Sequence, residues 1–268
     1  MQIDPYGVWS DIQAIKKNSP LIHNITNYVV MEHTANSLLA IGASPVMAHA
    51  LEEVADMTML ANSLVLNIGT LSPLWIQGMM LALKAANSKG IPVVFDPVGV
   101  GATPYRTQAA QSILNQNPVT VIRGNASEIV SLNENQVVSK GVDSLINSSD
   151  YQEQAKILAV KNECVVWMSG QTDVITDGHS SNLVHNGHPL MCKVTGMGCT
   201  ATAITGAFLA INKNPLLGCT HAALLMGIAG EIAAEKCHGP GSFKLAFIDT
   251  LYTLTLDEIE GRLRVETL

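Results

Sequence analysis

From Pro20 to Gly170 the chain alternates short, unbroken apolar runs with longer stretches whose apolar residues recur at helical spacing. The runs are Pro20-Leu21-Ile22-His23-Asn24-Ile25-Thr26-Asn27, Ser63 to Thr70, Ile91 to Asp96, Val119 to Asn125 and Cys164 to Gly170. They are too short for helices and read as strands, and Ser44 to Ala48 begins the rhythm on a smaller scale. Between them helices are predicted over Val8–Lys17, Met31–Ile41 (stopped by Gly42), Leu51–Ala61, Pro73–Ser88, about Arg106–Asn115, from Ser127 to Leu132, and Tyr151–Asn162. Asn133 to Asp150 reads as a polar, loop-rich segment. Thr172–Thr176 and Asn182–His185 are short strands joined by turns such as Asp177-Gly178, which predicts an antiparallel edge. An Ala-rich helix over Leu216–Lys236 follows, then Gly239-Pro240-Gly241 and an amphipathic helix over Phe243–Leu263.

Apolar strands alternating with helices predict an α/β fold: a mostly parallel central sheet covered by helices on both faces, a three-layer sandwich. No repeat, low-complexity tract or linker interrupts it, so residues 1–268 form one expected domain. Each central strand ends in polar or glycine residues, at Asn67-Ile68-Gly69-Thr70, Asp96-Pro97-Val98-Gly99 and Arg123-Gly124-Asn125. Ligands of open α/β sheets sit outside the carboxyl ends of the strands, so these ends converge on one candidate site.

Composition narrows the classes. Hydrophobic residues are 47% and aromatics 4%, so Ala, Leu, Val, Ile and Met must fill a large core. A net charge of −7 without a Lys/Arg cluster argues against a nucleic-acid surface. The five cysteines lack a C-x-x-C pair, which fits reduced thiols in a cytoplasmic protein and provides no zinc site. The N-terminus has no signal-peptide pattern, and the uncharged stretch Met57–Leu83 is broken by Asn62, Asn67, Gly69 and Pro73, so no membrane span is expected.

Val194-Thr195-Gly196-Met197-Gly198-Cys199 runs straight into a small-residue helix. It is either an anion site, from free amides and the helix dipole, or a glycine turn before a buried helix. Cys199 in the first turn would feel a field that lowers a thiol pKa. A thiol nucleophile with His185, His188 or His221 as base is one reading of it. Gly196-x-Gly198-x-x-Ala201 loosely matches a dinucleotide fingerprint, but no acidic residue follows at the required distance. Asp96 suits Mg²⁺ or an N-cap, Asn125-Ala126-Ser127-Glu128 has capping-box spacing, and Arg123 suits a phosphate or a surface ion pair.

Seven segments in order are similar to the hydroxyethylthiazole kinase family of the ribokinase-like superfamily. They are His23–Asn27, Gly42–Met47, Leu66–Thr70, Asp96–Thr103, Arg123–Glu128, Val194–Cys199 and Gly239–Phe243. The resemblance implies transfer of the ATP γ-phosphate to the primary alcohol of hydroxyethyl-methylthiazole, a step of thiamin salvage. It also implies a homotrimer with sites near subunit boundaries. By motif, Asn27, Met47 and Gly196 would lie near the thiazole, Arg123 and Ser169 would face the ATP phosphates, and Asp96 and Glu128 would serve Mg²⁺. Gly196, Gly198 and Cys199 would form the catalytic loop, with Cys199 where the wider superfamily has a proton-accepting aspartate. Ser169 keeps the hydroxyl of a Thr found in some members, and Met197 replaces a commoner Ala or Thr. A related kinase for another vitamin-precursor alcohol and an idle nucleotide sensor are the alternatives.

Overall fold

The computed structural model describes residues 3–134 and 148–268; most of the predicted loop Asn133–Asp150 lies outside them. Helix α1 (Pro5–Asn18) precedes β1 (Leu21–Ile25), α2 (Met31–Ala40), β2 (Ser44–Val46), α3 (Val54–Leu60) and β3 (Ser63–Asn67). Then come α4 (Pro73–Lys89), β4 (Val93–Asp96), α5 (Pro104–Gln116), β5 (Val121–Asn125), α6 (Ala126–Glu134), α7 (Ser148–Asn162) and β6 (Val165–Ser169). Strands β7 (Asp173–Thr176) and β8 (Ser181–Val184) lead through a 3-10 turn, Pro189–Lys193, to α8 (Met197–Ile211). The chain ends with α9 (Pro215–Lys236), α10 (Pro240–Thr253), α11 (Leu256–Glu260) and β9 (Val265–Thr267).

The nine strands form one sheet in the order β2-β1-β3-β4-β5-β6-β7-β8-β9. The six from β2 to β6 are parallel and the last three antiparallel. Ser72 and Thr103 side chains accept from Trp75 N and Arg106 N, each ahead of a proline, which starts α4 and α5 where the sequence predicts helices. One expectation fails. The helix predicted over Phe243–Leu263 breaks after Thr253, because Thr255 and Glu258 form a capping box that starts a new helix. The chain then returns to the sheet as β9, which the sequence reading missed.

Helix α9 is long and apolar enough to cross a membrane, yet 83% of its apolar window is buried inside the protein, between the sheet, α8 and α10. Helices α1, α2, α8, α9 and α10 cover one face of the sheet, and α3 to α7 cover the other. Strand alternation assigns Val65, Val94, Val121 and Val165 to the α8 face, and Leu64, Phe95, Ile122 and Val166 to the opposite one. The same period of two turns Asn67, Asp96, Arg123 and Ser169 toward α8. Gly206 lets α8 lie close: a Cβ there would sit 2.9 Å from Val65 Cγ2.

Candidate active site

The first turn of α8 is set by two glycines. Gly196 caps the helix at φ +92°, a left-handed backbone, and a Cβ there would sit 2.7 Å from Val30 Cγ1. At Gly198 a Cβ would come within 2.7 Å of Arg123 Nη1, so the guanidinium lies directly against the helix start. Its carbon is 5.5 Å from the centre of the Trp167 ring, and its Nε is buried with no partner. Among the described residues Arg123 is in no ion pair. Trp167 Nε1 donates to Asp173 Oδ2 at 3.0 Å, and Gly170 N donates to Asp173 Oδ1 at 2.9 Å.

Beside this cation runs a polar chain. Asn27 Nδ2 donates to Asn67 Oδ1 at 2.9 Å and to Cys199 Sγ at 3.4 Å. Asn67 Oδ1 also accepts from Gly69 N, and its Nδ2 donates to Asp96 Oδ2 at 2.8 Å. The same Oδ2 accepts from Thr202 Oγ1, one turn along α8, at 2.7 Å. Burial pushes the Asp96 carboxyl up to about 7; Arg123 and the two hydrogen bonds pull it down, and the Glu128 charge adds to the rise. Burial and the neighbouring Asp96 push the Cys199 thiol up to about 11. That corrects the expectation of a lowered thiol pKa: desolvation and a like charge outweigh the helix field, and the group is a neutral thiol at pH 7. Its partner is an amide, with no histidine bonded to it; His221 instead meets Asp11 Oδ2 at 2.7 Å.

Glu128 fulfils its capping-box spacing. Its Oε2 accepts from Asn125 N at 2.8 Å while Asn125 Oδ1 accepts from Glu128 N at 3.0 Å. Its Oε1 accepts from Gly99 N, which fastens the loop after β4. Arg106 straps the same region, donating to the carbonyls of Ile68, Gly69 and Val98. Ser169 Oγ donates to Gly124 O at 3.4 Å.

A cavity of about 840 Å³ opens over these strand ends, lined by Arg123, Ser169, Gly196 and Gly198 and extending past Asp173, His185 and Met191. Asn27, Asp96 and Cys199 adjoin it through the hydrogen-bonded chain. Met47 stands apart: it is half-buried just after the edge strand β2 and does not line the cavity. Thr202, Trp167 and Asp173 went unnoticed as site residues in the sequence; only their strand or helix phase, relative to Ser169 and Gly198, could have signalled them. Among the described residues no three His, Cys, Asp or Glu side chains form a metal cage. Asp96 with Glu128 nonetheless suits Mg²⁺, a hard cation held by one or two carboxylates plus waters and phosphates. The Glu128 charge reaches the Asp96 carboxyl, while both Glu128 oxygens accept backbone N–H groups, of Gly99 and Asn125.

Residues 12–257 match the model of the hydroxyethylthiazole kinase family. The chain belongs to the hydroxyethylthiazole kinase family. It is 50% identical to the hydroxyethylthiazole kinase of Syntrophus aciditrophicus over 266 residues, covering 99% of this chain and 98% of that one. Identity to the Desulfotalea psychrophila hydroxyethylthiazole kinase is 48%, over 96% of this chain and 94% of the other. The solved structure of a hydroxyethylthiazole kinase protein from Pyrococcus horikoshii superposes with a TM-score of 0.90 at 40% identity, covering 97% and 98% of the two chains. A Staphylococcus aureus pyridoxal kinase in complex with ADP shares the fold, at a TM-score of 0.61 and 15% identity over 80% and 88% of the chains. The ribokinase-like, three-layer α/β architecture of the family is therefore the architecture of this chain.

Proposed function

We propose that this family member transfers the γ-phosphate of ATP to the primary alcohol of hydroxyethyl-methylthiazole. One observation carries the reading: Arg123, a cation with no ion-pair partner among the described residues, lies against the amides of the α8 start at the mouth of a cavity of nucleotide size. Phosphoryl transfer asks for positioning and charge neutralisation more than covalent chemistry, and this arrangement provides both. Arg123 and the amides of Gly198 and Cys199 hold the phosphates, and Ser169 adds a hydroxyl. Asp96 and Glu128 would hold Mg²⁺, which on binding neutralises charge on the transferring group. Asp96 Oδ2 is engaged by Asn67 and Thr202, so the carboxylate would hold that ion, directly or through water, with its remaining capacity.

Asn27 orients the alcohol from the far side of Cys199. The neutral thiol accepts the Asn27 amide and packs against the reacting oxygen rather than taking its proton, which in a loose transition state leaves late. Met47 lies outside this cavity, so the thiazole would meet it only from the side of the sheet edge. Around the packed rings of Tyr28, Trp75 and His49, Tyr28, Val29 and Leu74 are each more than 60% exposed, an apolar surface that suits cover by a neighbouring subunit of a homotrimer. A coupled-kinase panel over thiazole, pyrimidine and pyridoxal alcohols tests the reaction: thiazole turnover ahead of the others is expected, and none at all would overturn it. Light scattering tests the trimer, and an active monomer at assay concentration would exclude it.

A further inference from the structure

Arg123 is held in an unusual way for a half-buried cation: by a ring face, with no carboxylate in ion-pair range among the described residues. Arg123 and Trp167 are direct partners in the parallel β5–β6 register, so their side chains rise side by side on the α8 face. Trp167 is 1% exposed and cannot swing away. Its one polar atom is tied to Asp173 Oδ2, while the other oxygen of that carboxylate is fastened by Gly170 N, at the turn between β6 and β7. The ring plane is thereby fixed by a bond that does not use the guanidinium. An ion pair would have held Arg123 equally firmly but neutralised it, whereas a π face holds a cation and leaves its charge and N–H groups available.

We propose that Trp167, clamped by Asp173, is a positioning residue that keeps the Arg123 guanidinium against the first turn of α8, outside any ion pair among the described residues, for the nucleotide phosphates. This rests on the reading that Arg123 meets those phosphates. Asp173 fixes the indole, and its charge also reaches Arg123 from outside ion-pair range.

The test is calorimetric titration of the full chain with ADP and with adenosine, which carries no phosphate. Trp167→Leu is expected to weaken ADP roughly tenfold, the scale of a desolvated cation–π contact, and to leave adenosine unchanged. Trp167→Phe, which keeps a ring face and loses the Asp173 bond, should stay within about threefold of wild type. In an Arg123→Ala background Trp167→Leu should cost nothing further, because the contact it removes is already gone. If leucine does not fold, as judged by thermal melting, Trp167→Met replaces it. A folded Leu or Met variant that binds ADP like wild type overturns the proposal. So does equal loss of ADP and adenosine, or an undiminished loss on top of Arg123→Ala, since either marks a merely structural role. Arg123→Ala with wild-type ADP affinity would instead remove the phosphate reading itself, without reference to Trp167.

Discussion

Two cavities of almost equal size, about 840 and 830 Å³, lie at opposite ends of the same sheet. The second is lined by strand beginnings and the α8–α9 turn, including Val93, Val119, Thr120, Val165 and Lys213. Of its charged groups, Glu163 and Lys213 are exposed and Asp177 is half-buried. The first is lined by strand ends, and there Asp96 is 1% exposed and Arg123 has an unpartnered nitrogen. Concavity alone therefore does not mark the site. A buried charge is costly unless paired or bonded, so its retention is the more telling sign. In a parallel sheet only the carboxyl ends combine such charges with the starts of the covering helices, whose amides point at a bound anion.

The largest effect expected from breaking this contrast is at Arg123. Arg123→Ala should lower kcat/KM by roughly 2–4 kcal/mol of transition-state stabilisation while the fold survives. Steady-state kinetics with ATP check this, and wild-type values would remove Arg123 from the site.

A smaller effect concerns stability. Because burial holds the Asp96 carboxyl at about 7, the folded chain keeps this proton over a range in which the unfolded chain, with a pKa near ~4, has released it. The contribution of this group is thus fully present below about pH 4 and is lost as pH rises through about 7. Thermal melts from pH 5 to 8 should show wild type losing stability relative to Asp96→Asn, by a few kcal/mol at most. Parallel curves would mean that Asp96 is already ionised at pH 5.

The neutral thiol predicts a gentler result. Cys199→Ala should lower kcat by less than about tenfold, short of the ~10²-fold or more that a positioned base supplies. Cys199→Asp should retain or raise kcat. A thousandfold loss in the Ala variant would restore the thiol as base. Smallest of all is the opposite cavity, where Lys213→Ala should leave kinetics unchanged and stability within about 0.5 kcal/mol. A kinetic defect there would break the contrast outright.

Much of this was legible in the chain, for identifiable reasons. The central strands are apolar on both faces, so β3 to β6 stand out without any period, and Asn67, Asp96 and Arg123 mark where each one ends. Glu128 kept its capping-box spacing, and Gly196 and Gly198 kept the turn into α8. What failed depended on distance or environment. Thr202 reaches Asp96 across 106 positions, so only the sheet order reveals the pair. The thiol pKa depended on burial and on Asp96, neither visible in the first-turn position of Cys199. Strand β9 is three residues without an apolar pattern, recruited by the free edge of β8.

That last strand bears on how the protein can be trimmed. The other margin of the sheet, β2, is only three residues long and contains Pro45, so it offers little for another chain to pair with. Every residue of β8, by contrast, is buried, and β9 is what covers its margin. Arg262 O and Arg264 N also hold the amide of Asn186 on the cavity rim, and Arg264 meets Glu231, which binds Gly187 N. A shortened version cut before residue 262 would expose a sticky, hydrogen-bond-hungry margin and slacken one wall of the cavity in the same stroke.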